Sequence, residues 1–166
     1  MLVFDASTLI LLAKSELLDI FLDDYEDTPL IPGAVAAEST GSSRPDALLI
    51  RQRIAEGRLK VEEVQESRVF DRLGLDFRLG VGETAALALA LAKGKSALVA
   101  TDDRSAIRAC KVLRIRFVTS LGILTRAVEK GLLTRDLGLR YLERLRAYGR
   151  FRDELIEEVS RQIGDR

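Results

Sequence analysis

Residues 97–104 have the sequence ALVATDDR, an apolar run that ends on two adjacent carboxylates. Residues 2–7, LVFDAS, follow the same pattern, since three apolar residues lead directly to Asp5. Continuous apolar runs of this length, bounded by polar residues, are typical of strands that are buried on both faces of a parallel sheet. Open α/β sheets bind their ligands outside the carboxyl ends of such strands. We therefore expect Asp5, Asp102 and Asp103 to lie at one edge of a sheet and to contribute to a cation site.

The rest of the chain alternates apolar runs with helical patterns, which favours a parallel α/β fold. Further strands are predicted at residues 29–32, 59–64 and 115–118, and helices at residues 7–14, 15–22, 33–38, 48–54, 84–93, 104–113 and 120–130. Two amphipathic patterns that break near Gly149 occupy residues 134–163. This order predicts a three-layer α/β/α sandwich with a mostly parallel central sheet. We expect residues 1–133 to form the domain and residues 134–166 to be a helical extension packed on it.

Length and composition favour one soluble, cytoplasmic domain. A chain of 166 residues can bury a continuous core without disulfide bonds. No apolar stretch reaches the roughly 20 residues of a membrane-spanning helix, and the N-terminus has no basic segment ahead of an apolar one. The single cysteine, Cys110, falls within a helical pattern, so we expect it to be a core residue and not a nucleophile.

The charge balance restricts how the chain could bind a nucleic acid. Lys+Arg and Asp+Glu both number 26, so the net charge is zero and a nucleic-acid partner would need a local basic patch. Arg104, Arg108 and Lys111 are spaced to share one face of the helix that follows the acidic pair. That stripe fits either a solvated helix face or a contact surface for the phosphates of RNA.

Two further carboxylates, Glu38 and Glu83, lie where this fold would bring them towards the strand-end acids. The chain has no histidine, so its chemistry would depend on carboxylates and on what they bind. Clustered carboxylates repel one another, and a divalent cation relieves that repulsion. Mg²⁺ and Mn²⁺ both prefer oxygen ligands. Because such an ion can lower the pKa of a bound water and neutralise charge on a phosphate, the set points to hydrolysis of a phosphodiester.

Each acid also has a simpler interpretation. Asp5 could only cap the following helix, and Glu83 could only favour the positive end of a helix dipole. Glu38 alone would be a residue on a solvated helix face. The pair at residues 102 and 103 could supply a helix cap and a charge in the first helical turn. The functional interpretation therefore depends on the four positions occurring together.

Four segments together resemble the acidic motifs of PIN domains, in the same order. They are LVFDAS at residues 2–7, PGAVAAE at 32–38, GETAA at 82–86 and VATDDR at 99–104. The resemblance covers about residues 1–131 and extends to a prokaryotic, toxin-type subgroup. It implies that Asp5, Glu38 and Glu83 take the first three acidic roles, whereas either Asp102 or Asp103 takes the fourth.

What the resemblance implies is a Mg²⁺- or Mn²⁺-dependent endoribonuclease that cleaves single-stranded RNA. Asp5, Glu83, Asp102 and Asp103 would bind the metal, with Ser7, Thr8 and Thr101 in support. Members of this subgroup are often the toxin of a toxin-antitoxin pair and often dimerise, so a small antitoxin protein and a second copy of the chain are expected partners. The alternative is a catalytically silent PIN-like module that acts by association with protein or RNA.

Overall fold

The computed structural model describes residues 1–164, which form five short strands and ten helices. The strands are β1 (Leu2–Phe4), β2 (Leu30–Pro32), β3 (Lys60–Glu62), β4 (Leu98–Ala100) and β5 (Arg116–Val118). The helices are α1 (Ala6–Lys14), α2 (Leu18–Asp24), α3 (Gly33–Thr40), α4 (Pro45–Ala55), α5 (Arg68–Phe77), α6 (Val81–Lys93), α7 (Arg104–Leu113), α8 (Ser120–Glu129), α9 (Arg135–Tyr148) and α10 (Asp153–Gly164). Within the described residues, no helix has the length and hydropathy of a membrane span.

All five strands are parallel and have the order β3-β2-β1-β4-β5. The predicted three-layer sandwich is confirmed, and the sheet is parallel throughout. β1 and β4 are neighbours in register, with Phe4 opposite Ala100. Directly beyond this pair, the N–H of Asp5 donates to the carbonyl of Ala100 at 3.1 Å. The sheet therefore brings the segment after β1 and the segment after β4 to the same edge.

Helices cover both faces of the sheet, because successive side chains of each strand point to opposite sides. Leu2 and Phe4 belong to one buried cluster, which they share with residues of α1, α2, α8, α9 and α10. Val3 belongs to a second cluster, which it shares with residues of α5, α6 and α7. The central strand is thus apolar at every position because each face has its own helical layer.

The sequence pattern assigned no element to residues 65–79, where the structure has helix α5. Ser67 caps the helix by accepting the N–H of Phe70 at 3.2 Å, and the helix ends where Arg78 adopts a φ of 55°. Leu73 is the buried residue of this helix, while Val69 and Leu75 are largely exposed. Phe70, Leu73 and Phe77 recur at helical spacing, so this apolar period and the Ser67 cap were both available signals that the sequence reasoning overlooked.

The last two helices complete the core on one face of the sheet. Leu142 and Leu145 of α9 and Ile156 of α10 are buried in the same cluster as Phe4. The two helices are separated at Gly149, as the sequence indicated. Residues 149–152 therefore form a linker between two helices that are held against the sheet layer.

Candidate active site

Asp5 follows β1 and caps helix α1 from a buried position. Its side chain is 1% exposed. Oδ1 accepts the N–H of Thr8 at 2.8 Å and the hydroxyl of Ser7 at 3.3 Å. Oδ2 is buried and has no hydrogen-bond partner among the described residues. Helix capping therefore accounts for one carboxylate oxygen and not for the other.

The surroundings of Asp5 disfavour its charged form. Burial raises the pKa of this carboxyl from 3.8 to about 6, although the hydroxyl of Thr101 and the N–H and hydroxyl of Thr8 partly offset the effect. The nearby charge of Asp102 raises the pKa further. A cation next to Oδ2 would reverse this penalty, because it would favour the ionised carboxylate.

Asp102 is joined to Asp5 through Thr8. The hydroxyl of Thr8, whose backbone N–H binds Asp5, donates to Oδ2 of Asp102 at 3.2 Å and accepts the N–H of Asp102 at 3.0 Å. Oδ1 of Asp102 accepts the N–H of Ser120, at the start of α8, at 3.0 Å. Burial raises the pKa of Asp102 despite these hydrogen bonds. Thr8 therefore fixes the relative positions of the segments that follow β1 and β4.

Asp103 has a different local role from its neighbour. Its Oδ1 caps helix α7 by accepting the N–H of Ala106 at 2.8 Å. Its own N–H donates to the hydroxyl of Thr101 at 3.2 Å. The two adjacent acids are thus held by different partners, Asp102 by α1 and α8 and Asp103 by α7.

Glu83 lies in the first turn of α6 and is half-buried. Its carboxylate folds back over Gly80, where an added Cβ would clash with Oε2 of Glu83. Gly80 therefore leaves the space in which this carboxylate sits.

Glu38 lies on α3 and is exposed. Its Oε2 is 3.2 Å from the position that a Cβ would take at Gly82, and that position is 3.9 Å from Cβ of Ala6. The absence of a side chain at Gly82 thus allows Glu38 to approach the first turn of α6, next to the residue that follows Asp5.

A cleft of about 360 Å³ opens at this edge of the sheet. We call it the acidic cleft; its lining consists of Ser7, Leu11, Glu83, Asp102, Asp103 and residues 148–151. Asp5 and Glu38 are not part of this lining. Sequence reasoning missed two contributors, Ser120 and the α9–α10 linker. The linker lies far from the acids along the chain, and Gly149 was the available sign of it.

The donor set of the site fits a hard divalent cation. Carboxylate and hydroxyl oxygens surround the cleft, and the buried Oδ2 of Asp5 lacks a partner in the described part of the chain. Within residues 1–164, no three potential ligands of the Asp, Glu, Cys and His types are already grouped as a metal site. Asp5 and Asp102 are the two acids whose relative positions the fold fixes, through their shared contacts with Thr8.

The basic stripe on α7 is exposed along its length. Arg104, Arg108 and Lys111 all face solvent, and Arg104 lines a second groove, which shares Asp102 with the acidic cleft. Cys110 is buried on the same helix. Its burial, and to a smaller extent the charge of Asp5, raise the pKa of its thiol to about 11. A thiol in this environment is protonated at neutral pH, which agrees with a core role.

A parallel five-stranded sandwich with carboxylates at the ends of β1 and β4 and at the start of α6 defines a nuclease-type fold of the PIN class. The sequence profile of DUF3368, described as a PIN domain, matches residues 1–165, and the chain belongs to this family. No curated protein and no solved structure gave a significant match. PIN domains are generally nucleases and typically use divalent metals.

Proposed function

We propose that the protein is a Mg²⁺- or Mn²⁺-dependent endoribonuclease that hydrolyses single-stranded RNA. The observation that carries the proposal is the carboxyl of Asp5, which is 1% exposed, has one oxygen without a partner in the described chain, and has a pKa raised to about 6. The charge of such a group lowers the stability of the protein at neutral pH. Its structural role, the capping of α1, is already fulfilled by Oδ1 alone. Strongly perturbed acids of this kind are concentrated at functional sites.

In this proposal, Asp5 and Asp102 hold the cation, and Glu83 and Asp103 complete its surroundings from the cleft wall. The cation would activate water for attack on phosphorus and stabilise the charge on the leaving oxygen. Thr8 keeps Asp5 and Asp102 in register through its N–H and hydroxyl. Glu83 is half-buried and borders the cleft, so its carboxylate can accept a proton from the water that attacks.

The choice of Asp102 as the principal fourth acid follows from its contacts. Its hydrogen bonds come from α1 and α8, so its position depends on the same residue that holds Asp5. Asp103 uses one oxygen to cap α7, as Asp5 does at α1, so capping by itself does not decide between Asp102 and Asp103. Replacing Asp103 by Asn keeps a capping oxygen and removes the charge, so it would separate the two roles.

The partners in the proposal come from the PIN resemblance. They are an RNA substrate, a small antitoxin protein that would inhibit the nuclease in the cytoplasm, and a second copy of the chain. Co-expression with the product of an adjacent small gene, followed by size-exclusion chromatography, would test the antitoxin and the dimer together.

The catalytic proposal is tested by the cleavage of an end-labelled single-stranded RNA in Mg²⁺, in Mn²⁺ and in EDTA. Duplex RNA and single-stranded DNA serve as comparison substrates. We expect cleavage of the single-stranded RNA with either metal, none in EDTA, and a loss of about 100-fold or more in Glu83→Gln. Glu66→Gln, which changes an exposed glutamate outside the cleft, is the matched control and should cleave like the wild type.

The opposite outcome would support the alternative, a silent PIN-like module. It would be RNA or protein binding without metal-dependent cleavage. Cleavage that is equal in the wild type and in Glu83→Gln would contradict the role assigned to Glu83.

A further inference from the structure

A second cavity adjoins the acidic cleft and has a volume of about 700 Å³. Four arginines, Arg104, Arg126, Arg150 and Arg152, line it above an apolar floor that includes Ile107, Val118, Leu121, Leu155 and Val159. We call it the arginine groove. It runs between α7, α8 and α10, and its volume lies within the range of roughly 300–1,000 Å³ that is typical of ligand sites.

The arginine groove and the acidic cleft are continuous. Asp102, Arg150 and Phe151 line both. A polymer with one phosphate at the acids would therefore continue into the arginine groove without leaving the surface of the protein. A small substrate with a single phosphate would not reach it.

Three of the groove arginines are available to a ligand. Arg126 lies 3.6 Å from Glu129 and is partly neutralised. Arg104, Arg150 and Arg152 are exposed, and none has a carboxylate within salt-bridge distance among the described residues. Glu129 and Glu158 also border the groove. Arg150 borders the acidic cleft as well, and Arg104 and Arg152 directly follow two residues of its lining, Asp103 and Phe151.

The linker has an anchored backbone and one packed side chain. The carbonyl of Arg152 accepts the N–H groups of Leu155 and Ile156 at 3.1 and 3.3 Å, which fixes the backbone of Arg152 at the start of α10 and leaves its side chain exposed. Phe151 is half-buried and packs against the core cluster of α9 and α10. Its ring lies so close to Gly149 that a Cβ there would clash with it. Phe151 is therefore a fixed aromatic surface between the two cavities.

We propose that the arginine groove binds the nucleotides that flank the scissile phosphate of a single-stranded RNA. The proposal rests on the proposed function and extends it from the reacting phosphate to the neighbouring residues of the strand. Arg104, Arg150 and Arg152 contact the backbone phosphates, while Phe151 and the apolar floor contact the bases. Because neither kind of contact reads a base edge, the groove positions the strand and leaves its sequence preference weak.

Charge and continuity favour RNA over a peptide as the occupant. Arg104, Arg150 and Arg152 lie in or next to the lining of the acidic cleft, which is where a strand bound for cleavage must pass. An apolar peptide would have no reason to engage these arginines. An acidic peptide remains the competing occupant and is an outcome of the test below.

The test compares a groove variant with a matched arginine variant. The groove variant combines Arg104→Gln and Arg152→Gln, which line the arginine groove and not the acidic cleft, and the control combines Arg68→Gln and Arg140→Gln, two exposed arginines that line neither cavity. Fluorescence anisotropy with a labelled 12-nucleotide RNA in EDTA measures affinity without cleavage. We expect the groove variant to bind the RNA at least about tenfold more weakly. The slope of log affinity against log salt concentration should also become shallower by roughly 1.4, or about 0.7 for each lost phosphate contact.

Two further readouts separate substrate positioning from folding. In Mn²⁺, the groove variant should show a raised KM for the 12-nucleotide RNA, an unchanged kcat, and wild-type hydrolysis of a dinucleotide. Phe151→Leu keeps an apolar side chain and should weaken RNA binding roughly fivefold, since stacking on one base contributes about 1 kcal/mol or more.

Equal RNA affinity and equal salt dependence in the wild type, the groove variant and the control would overturn the groove proposal. If the wild type still cleaved RNA, the proposed function would stand. A polyglutamate peptide that bound the wild type but not the groove variant, with unchanged RNA affinity, would also overturn it and assign the groove to a protein partner. RNA binding that depends on the groove without any cleavage in Mn²⁺ would support the groove and reject the nuclease.

Discussion

Replacing Asp5 by Asn should stabilise the protein at neutral pH in the absence of metal. Asn has nearly the shape of Asp and keeps an oxygen that can accept the N–H of Thr8 and cap α1. It removes the charge that burial disfavours. A residue kept for chemistry at the expense of stability should behave in this way.

The magnitude follows from the pKa of Asp5, which rises from 3.8 to about 6 on folding. A shift of about two units corresponds to roughly 3 kcal/mol, at about 1.36 kcal/mol per unit. Because the folded protein binds this proton more tightly than the unfolded chain, the favourable contribution is complete below pH 4 and is lost as the pH rises through about 6. At pH 7.5, the free energy of unfolding of Asp5→Asn should therefore exceed that of the wild type by about 2–3 kcal/mol, which corresponds to a Tm higher by roughly 4–12 °C.

The assay is urea denaturation in EDTA between pH 4.5 and 8, with the wild type, Asp5→Asn and the control Asp71→Asn, which changes an exposed aspartate of α5. The stability difference between Asp5→Asn and the wild type should grow with pH and level off above pH 7. A difference that did not depend on pH, or a variant less stable than the wild type at pH 7.5, would refute the argument that Asp5 is a strained ionised group. Asp71→Asn should follow the wild type.

Two other substitutions test the supports of the site. Gly80→Ala places a Cβ against the carboxylate of Glu83 and should reduce RNA cleavage about tenfold or more. The control Gly164→Ala, whose Cβ would meet no atom within 4 Å, should cleave normally. Equal activity in both variants would show that the position of the Glu83 carboxylate is unimportant. Thr8→Val removes the hydroxyl that joins α1 to Asp102 and should cost about 1–3 kcal/mol of stability in urea while lowering cleavage; a variant that lost neither stability nor activity would contradict the linking role of Thr8.

The strand-end acids were predictable because their positions follow from rules of local pattern and topology. Two apolar runs that each end on Asp must bring Asp5 and Asp102 to one edge once β1 and β4 are parallel neighbours. The different partners of Asp102 and Asp103 were not predictable in this way. They depend on Thr8 and Ser120, which approach from other helices only in the folded chain.

Two features of the structure were missed from the sequence. Helix α5 had a signal that was overlooked, since Phe70, Leu73 and Phe77 recur at helical spacing behind the Ser67 cap. The linker at residues 149–152 reads as a break between two helices, and nothing in its local pattern indicates that it borders the acidic cleft. Its place there is set by how α9 and α10 pack on the core, which is a long-range property of the chain.

The central claim is that Asp5 and the neighbouring acids bind a divalent cation with which the protein hydrolyses RNA. The most direct test is the rate of cleavage of a single-stranded RNA as the Mn²⁺ concentration is raised at pH 7.5, measured for the wild type and for Asp5→Asn. We expect a saturable rise in the wild type and a rate lower by about 100-fold or more in the variant, which is folded and more stable. Cleavage that proceeds equally in EDTA and in Asp5→Asn would contradict the account.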